Sequence, residues 1–444
     1  MDDHPTISMD DLKREVDASW YGFAAVSTDT GHESSGAEWA YHNPEALANW
    51  GYRAMHDAVV KGKAVTEGYY KKKIAYSYYR GCSAGGKQGL KEVEMFPDDF
   101  DGAIVGAPAW WTTHLQLWNM IVGIWNSPAD APHHLAQSHI DAVAKEVIRQ
   151  CDPQDGVKDG IVMNPDACTF RPETLLCSTT GGVVDTDTSS CLSAEQVGTV
   201  RKLHRDWVEE NSTFVFPHFA LSSEWEWSGL VAAPSNLGTD YVKWMLQLGG
   251  DWTWQDWDPE LIRLSEKLNP GNATADDYDL SPFRQKGGKV IHYHGWSDWS
   301  IAVGSSVYFY DQVAQNMQPK GVDLDDFYRF FLIPGMGHCA GTSDLMQAPW
   351  VIAGDGQSSN LGAGNVHSVP GYEDSRHDVV FAIMDWVENG KAPSDLVATK
   401  FANDSNPDQG VFRQRPLCVY PAEAKYKGSG DINAAESWEC MPLY

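Results

Sequence analysis

Basic residues are scarce in this chain of 444 residues: 33 Lys and Arg stand against 61 Asp and Glu, a formal net charge of −28. Phosphate backbones want Lys and Arg, so the balance argues against a nucleic-acid partner and reads as a solubilising acidic surface. The one basic run, Lys71-Lys72-Lys73, reads as a solvated loop. No apolar run reaches the length that spans a bilayer, so no membrane partner is expected. Internal repeats and low-complexity tracts are missing as well. The N-terminus, Met1-Asp2-Asp3-His4, lacks the basic and apolar regions of a secretory signal.

What is present describes a globular protein with many loops. Apolar residues make up 42% and charged residues 21%, with 40 Gly and 23 Pro. The length allows one large core or two smaller ones. The eight cysteines include two close pairs, Cys151/Cys168 and Cys177/Cys191, while Cys418 and Cys440 bracket the C-terminal segment. Spacing alone selects no connectivity. Locally paired cysteines in an acidic chain point to an oxidising compartment. The missing signal conflicts with this. The favoured expectation is a natural chain whose start, with its signal, lies upstream of Met1; reduced cysteines in a cytosolic protein are the alternative. Sequons at Asn211, Asn272 and Asn403 permit glycosylation.

Along the chain, Gly22 to Thr28 reads as a short buried strand and Pro44 to Val60 as a helix. Ala75 to Tyr79 reads as a strand, Gly86 to Met95 as a helix, and Gly102 to Val105 as another buried strand. Such alternation predicts an α/β fold with a parallel sheet. It stops between about residues 110 and 285, where 11 of the 19 tryptophans lie, and this interval reads as an inserted domain. Residues 1–109 and 286–444 would form the catalytic domain around it. Strands resume at Lys289 to His294 and Phe327 to Ile333, and an amphipathic helix follows at Asp378 to Glu388.

The sharpest motif is Gly81-Cys82-Ser83-Ala84-Gly85, a G-x-S-x-G between a strand and a helix. This turn lifts a serine hydroxyl out of the backbone and frees the next N–H, that of Ala84, for an oxyanion. A serine nucleophile needs a base, and the base an acid, in the order Ser, Asp, His. Asp298, after the strand ending at His294, and His338, after the strand ending at Ile333, fit that order. Separately, Asp298 could be a turn residue and His338 an ordinary loop histidine; order and context favour the triad. Asp29 and His32 form a weaker rival pair, since they precede the serine. Cys82 precedes Ser83 and Cys339 follows His338, so a Ser83–His338 contact would bring the two cysteines near disulfide range. Two buried thiols are the competing reading. His292 and His294 share one strand face and could ligate zinc, but no partner has metal spacing, and strand packing is favoured.

Asp152, Asp155 and Asp159 lie on a glycine-punctuated turn, Cys151 to Ile161. With the carbonyls of Val157 and Ile161 they could hold calcium, which prefers oxygen ligands. It is not an EF-hand, and a solvated acidic turn accounts for the spacing equally well.

Several stretches together resemble the tannase and feruloyl esterase family: STDTGH from Ser27, GCSAGGKQGL from Gly81, FDGAIVGAPA from Phe100, CDPQDGVKDGI from Cys151, YHGWSD from Tyr293 and PGMGHC from Pro334. The resemblance runs from about residue 20 to the C-terminus. It implies a secreted α/β-hydrolase with a large lid between the serine and the aspartate. The activity implied is cleavage of aromatic acid esters, including cell-wall phenolic esters, with hydroxycinnamic esters favoured over galloyl esters. It implies catalytic Ser83, Asp298 and His338, a structural calcium in the lid, and the disulfides Cys82–Cys339, Cys151–Cys168, Cys177–Cys191 and Cys418–Cys440. Family members carry a further N-terminal segment with a glycine-rich loop that donates a second oxyanion N–H. This chain is therefore expected to be N-terminally truncated, and a non-catalytic relative is the rival expectation.

Overall fold

Four short runs rich in Val, Ile, Phe and Tyr pair in parallel: β1 (Tyr78–Cys82), β2 (Gly102–Gly106), β3 (Lys289–Gly295) and β4 (Tyr328–Ile333), side by side in that order. The computed structural model describes residues 18–32, 36–177, 190–362 and 368–442. β2 is buried along its whole length, as a parallel strand covered on both faces must be. Its side chains alternate. Ala103 and Val105 join a core with α1 (Ala54–Tyr70), α2 (Ala84–Met95) and α3 (Gly304–Met317). Ile104 joins the opposite core with α4 (Val379–Asn389). Asp378 caps α4 by accepting hydrogen bonds from the N–H groups of Val380 and Phe381. The molecule is thus α/β with a parallel central sheet.

Residues 107–288 run between β2 and β3. They hold the helices Thr112–Trp125, Gln137–Cys151, Ala194–Leu203 and Glu260–Leu268, and a short antiparallel ribbon of Trp207–Val208 and Phe214–Phe216. Trp118, Phe216, Phe219 and Trp227 are buried in one core, which also takes in Ala37, Ala40, Ile301 and Ala302 from outside this stretch. After β4, the antiparallel strands β5 (Asp395–Phe401) and β6 (Val411–Cys418) precede a hairpin of β7 (Glu423–Tyr426) and β8 (Trp438–Met441). This C-terminal part is fastened to the sheet where the Tyr420 N–H donates to the Phe330 carbonyl at 2.8 Å.

One expectation fails. Gly22 to Thr28 is not a buried strand; it joins no β-ladder among the described residues and is largely exposed. A strand can be buried only if a ladder satisfies its N–H and C=O groups, and among the described residues β1 pairs only with β2. Smaller shifts concern edges: the strand before Ser83 begins at Tyr78 rather than Ala75 and runs to Cys82. All eight cysteines are paired, as Cys82–Cys339, Cys151–Cys168, Cys177–Cys191 and Cys418–Cys440. No helix among the described residues is long and apolar enough to cross a membrane.

Candidate active site

Ser83 sits between β1 and α2 with φ 63° and ψ −121°, a backbone conformation that costs a non-glycine residue of order 1–3 kcal/mol. The surroundings hold it there. Its N–H donates to the Gly106 carbonyl, and its own carbonyl accepts from the N–H groups of Lys87 and Ala109, each at 3.0 Å. A methyl group on Gly86 would come within 2.3 Å of the Gly106 oxygen, so helix and strand can meet this closely only with glycine there. Ala84 begins α2, and its N–H belongs to the open end of the helix.

Asp298 lies in the turn after β3 and is 1% exposed. Its carboxylate accepts four hydrogen bonds. Oδ1 takes the N–H groups of Ser300 and Ile301 at 2.8 and 2.9 Å. Oδ2 takes His338 Nδ1 at 2.7 Å and His294 Nε2 at 3.0 Å. Burial alone would raise this acid, but the neighbouring His338 charge and the imidazole hydrogen bonds hold it below the usual carboxylate range. A carboxylate can only accept, so His338 carries its proton on Nδ1 and turns a lone pair outward on Nε2. Burial lowers His338, yet the Asp298 carboxylate outweighs burial and leaves it raised, with Glu226 adding to the same effect.

His294 is held in turn. Its Nε2 donates to Asp298, which leaves Nδ1 to accept from Ser306 Oγ at 2.7 Å. The Ser306 oxygen then accepts from His292 Nε2 at 2.9 Å, and His292 Nδ1 accepts from the Tyr328 hydroxyl at 2.8 Å. All five residues of this row are buried. Both histidines of the H-x-H are therefore occupied in packing and hydrogen bonding, as the favoured reading of that motif expected.

Ser83 and His338 are brought near each other through their neighbours. Cys82 and Cys339 are bonded, with Cα atoms 6.1 Å apart, and Cys339 also has a positive φ of 61°. No hydrogen bond joins Ser83 Oγ to His338 among the described residues. The side chains of Asp29 and His32 make no hydrogen bond with each other among the described residues: Asp29 Oδ1 accepts from the Gly31 N–H, and the His32 ring stacks on Trp39 and meets Thr30 Oγ1. A cavity of about 320 Å³ lined by Met163, Trp296, Leu332 and Tyr420 includes none of Ser83, Asp298 or His338, so it is not where these three would meet a substrate.

Sequence reasoning missed Trp225 and Glu226, which reach the histidine loop from the 107–288 region. A methyl group on Gly337 would come 2.9 Å from the Trp225 ring and 3.2 Å from Glu226 Oε2. Burial and the Asp298 charge push Glu226 up to about 7, while His338 and a hydrogen bond with Trp299 pull the other way. No local signal could have found this carboxylate, because only tertiary packing carries it to His338.

In the turn after Cys151, Asp152 Oδ1 accepts from the N–H groups of Asp159 and Gly160. Asp155 Oδ1 accepts from the Val157 N–H, and Asp159 Oδ1 from that of Ile161. Asp159 also pairs with the buried guanidinium of Arg415. Burial, followed by the charges of Asp159 and Asp152, raises Asp155 to about 6. The second oxygens of Asp152 and Asp155 and the carbonyls of Val157 and Ile161 are an all-oxygen donor set that suits a hard cation. Arg415 already offsets one of the three charges, and the three side chains do not close into one cluster.

Comparison with known proteins places this arrangement. The family model described as tannase and feruloyl esterase matches residues 7–233 and 253–441. A probable feruloyl esterase B-2 of Aspergillus terreus is 35% identical over 423 residues, covering 95% of this chain and 76% of that protein. The crystal structure of feruloyl esterase B from Aspergillus oryzae superposes with a TM-score of 0.85 at 33% identity, covering 96% of this chain and 80% of the other. A tannin acyl hydrolase from Aspergillus niger gives 0.69 at 25% identity, with 89% and 70% covered. The chain belongs to the tannase and feruloyl esterase family, a family of carboxylic ester hydrolases.

Proposed function

We propose that this hydrolase cleaves esters of hydroxycinnamic acids through an acyl-enzyme formed on Ser83. The observation that carries the reading is the pairing of the Asp298–His338 hydrogen bond with the Cys82–Cys339 disulfide. His338 Nε2 takes the Ser83 hydroxyl proton as Oγ attacks the ester carbonyl, and the Ala84 N–H supports the oxyanion. Collapse breaks the ester bond, and the alcohol leaves with the proton from His338. Water then attacks the acyl-enzyme, giving its proton to the same nitrogen, and the acid is released as Ser83 Oγ recovers a proton. Throughout, Asp298 holds the imidazole in one tautomer. The Ser83–His338 hydrogen bond forms as substrate binds, since catalytic contacts are often long in unliganded enzymes.

The fold proposed is an α/β-hydrolase in which residues 110–285 form a lid on a catalytic domain of residues 1–109 and 286–444. Trp225 from the lid and Trp299 from the turn after β3 are the aromatics proposed to face the acyl group, supported by the closeness of Trp225 and Glu226 to Gly337. A structural calcium is proposed on Asp152, Asp155, Asp159 and the carbonyls of Val157 and Ile161, where it would neutralise the acidic turn. A chelator should then lower Tm, calcium should restore it, and Asp155→Asn should remove the effect; an unchanged Tm would count against the ion. An extracellular location is supported by the four disulfides, and Asn211, Asn272 and Asn403 are all exposed to glycosylation.

The test of function is pre-steady-state turnover of methyl ferulate, methyl caffeate and methyl gallate. We expect a burst of alcohol from the first two that Ser83→Ala abolishes. Preference for the gallate would make the enzyme a tannase instead. Undiminished turnover by Ser83→Ala would sink the mechanism.

A further inference from the structure

Away from Ser83, the far end of α2 carries a second grouping of acid and imidazole that ester hydrolysis does not use. His56 from α1, Glu92 from α2 and Asp99 from the turn before β2 each offer one donor atom, all within 4.8 Å of one another. His56 Nδ1 lies 2.7 Å from Asp99 Oδ2, and its ring is fixed by stacking on Phe96, with centroids 3.7 Å apart and planes at 12°. Glu92 is 3% exposed, and its Oε2 is buried with no hydrogen-bond partner. Lys63 is near, but its ammonium donates to the Asp99 backbone carbonyl rather than to either carboxylate. A buried carboxylate oxygen left without a donor costs free energy, and here it belongs to a cluster with the composition of a metal site.

We propose that His56, Glu92 and Asp99 bind one divalent zinc-class ion. One imidazole nitrogen and two carboxylate oxygens are common zinc ligands at about 2.0–2.2 Å, so a donor triangle of this size closes on the ion with small side-chain movements. Three protein ligands leave further positions for water. The His56 side chain is 29% exposed, against 11% for Asp99, which gives the ion an entry from solvent on the α1 side. The ion would fasten α1 to the same helix that begins directly after Ser83. Its role is therefore structural, and it is separate from the ester chemistry.

The experiment uses the full chain, stripped of metal and then kept in excess calcium so that the acidic turn after Cys151 does not compete. Zinc is titrated by calorimetry, and bound metal is counted after gel filtration. We expect the wild-type chain to retain one zinc more than His56→Ala or Glu92→Gln, and a zinc-dependent rise in Tm that both variants lose. Ser83→Ala should bind zinc like the wild type, which separates this proposal from the catalytic one. Should Glu92→Gln fold poorly, His56→Gln at the partly exposed position serves in its place. Equal zinc retention by wild type and the His56 variants would overturn the site, as would a Tm rise shared by all of them.

Discussion

Two buried pairings of carboxylate with imidazole flank α2, and they are built in opposite ways. Asp298 receives two backbone N–H groups and two imidazole N–H groups. Glu92 has an oxygen that receives nothing. Burial pushes both acids toward the neutral form. At Asp298 the imidazoles win and the acid is held low; at Glu92 burial and the adjacent Asp99 leave it raised. Depth does not fix the charge of a buried acid. The number of donors aimed at it does, which is why similar residues make the acid proposed to orient His338 in one place and the cluster proposed to bind a cation in the other.

The sharpest way to break the contrast is Asp298→Asn. Its one acceptor oxygen can face either the two imidazoles or the N–H groups of Ser300 and Ile301, not both, and with the oxygen on the backbone side the NH2 confronts His338, which loses its tautomer. A fall in kcat of about 10⁴-fold is expected, with little change in KM, read from steady-state kinetics on methyl ferulate. If kcat falls less than tenfold, Asp298 is not the orienting acid.

Next comes the covalent part of the arrangement. Replacing Cys82 and Cys339 together by serine opens a loop of 257 residues. The chain-entropy model gives such a closure about 5 kcal/mol as an upper figure. A Tm lower by many degrees is expected, with kcat reduced far less than by Asp298→Asn, because Asp298 still orients the ring. Equal losses of kcat in the two variants would show that the disulfide, not the acid, positions His338.

The smallest effect tests Glu226, the acid that adds to the field around His338. Removing its charge with Glu226→Gln lowers His338, so the acid limb of the kcat/KM profile moves to lower pH, by less than about one unit for a partly exposed group. The stability sign follows from linkage. Glu226 is raised in the folded state to about 7, so the folded chain binds more protons than the unfolded one between its ordinary value of 4.5 and that pH. Wild-type stability therefore declines as pH rises through this window, and the glutamine variant loses that slope. Urea midpoints at pH 5 and pH 8 check it; identical slopes would remove Glu226 from the account.

The turns that carry Ser83, Asp298 and His338 were legible in the sequence as turns because each is a local event. A small apolar strand, a glycine-flanked serine and a helix write the elbow within a few residues, and Asp298 and His338 each follow a strand of β-branched and aromatic residues. Gly22 to Thr28 misled because apolar composition was read as burial, while burial of a strand depends on a partner that its own residues do not name. The helical region between β2 and β3 was recognised only by the strands it interrupts. Glu226, more than a hundred residues from His338 in the chain, and the row from Tyr328 to His294 are products of packing. Nothing in their local spacing announces them.

The row Tyr328, His292, Ser306, His294 has a further consequence. Tyr328 donates to His292, His292 to Ser306, Ser306 to His294 and His294 to Asp298, so one directed run of hydrogen bonds ends on the carboxylate. Liquid water around a charge screens it by turning many dipoles, and each turn costs time and free energy. These dipoles already point the right way and cannot turn without breaking their neighbours. Asp298 thus sits in a medium that is polar but does not relax, and in the proposed mechanism the charge on His338 would meet an electric field set when the chain folded.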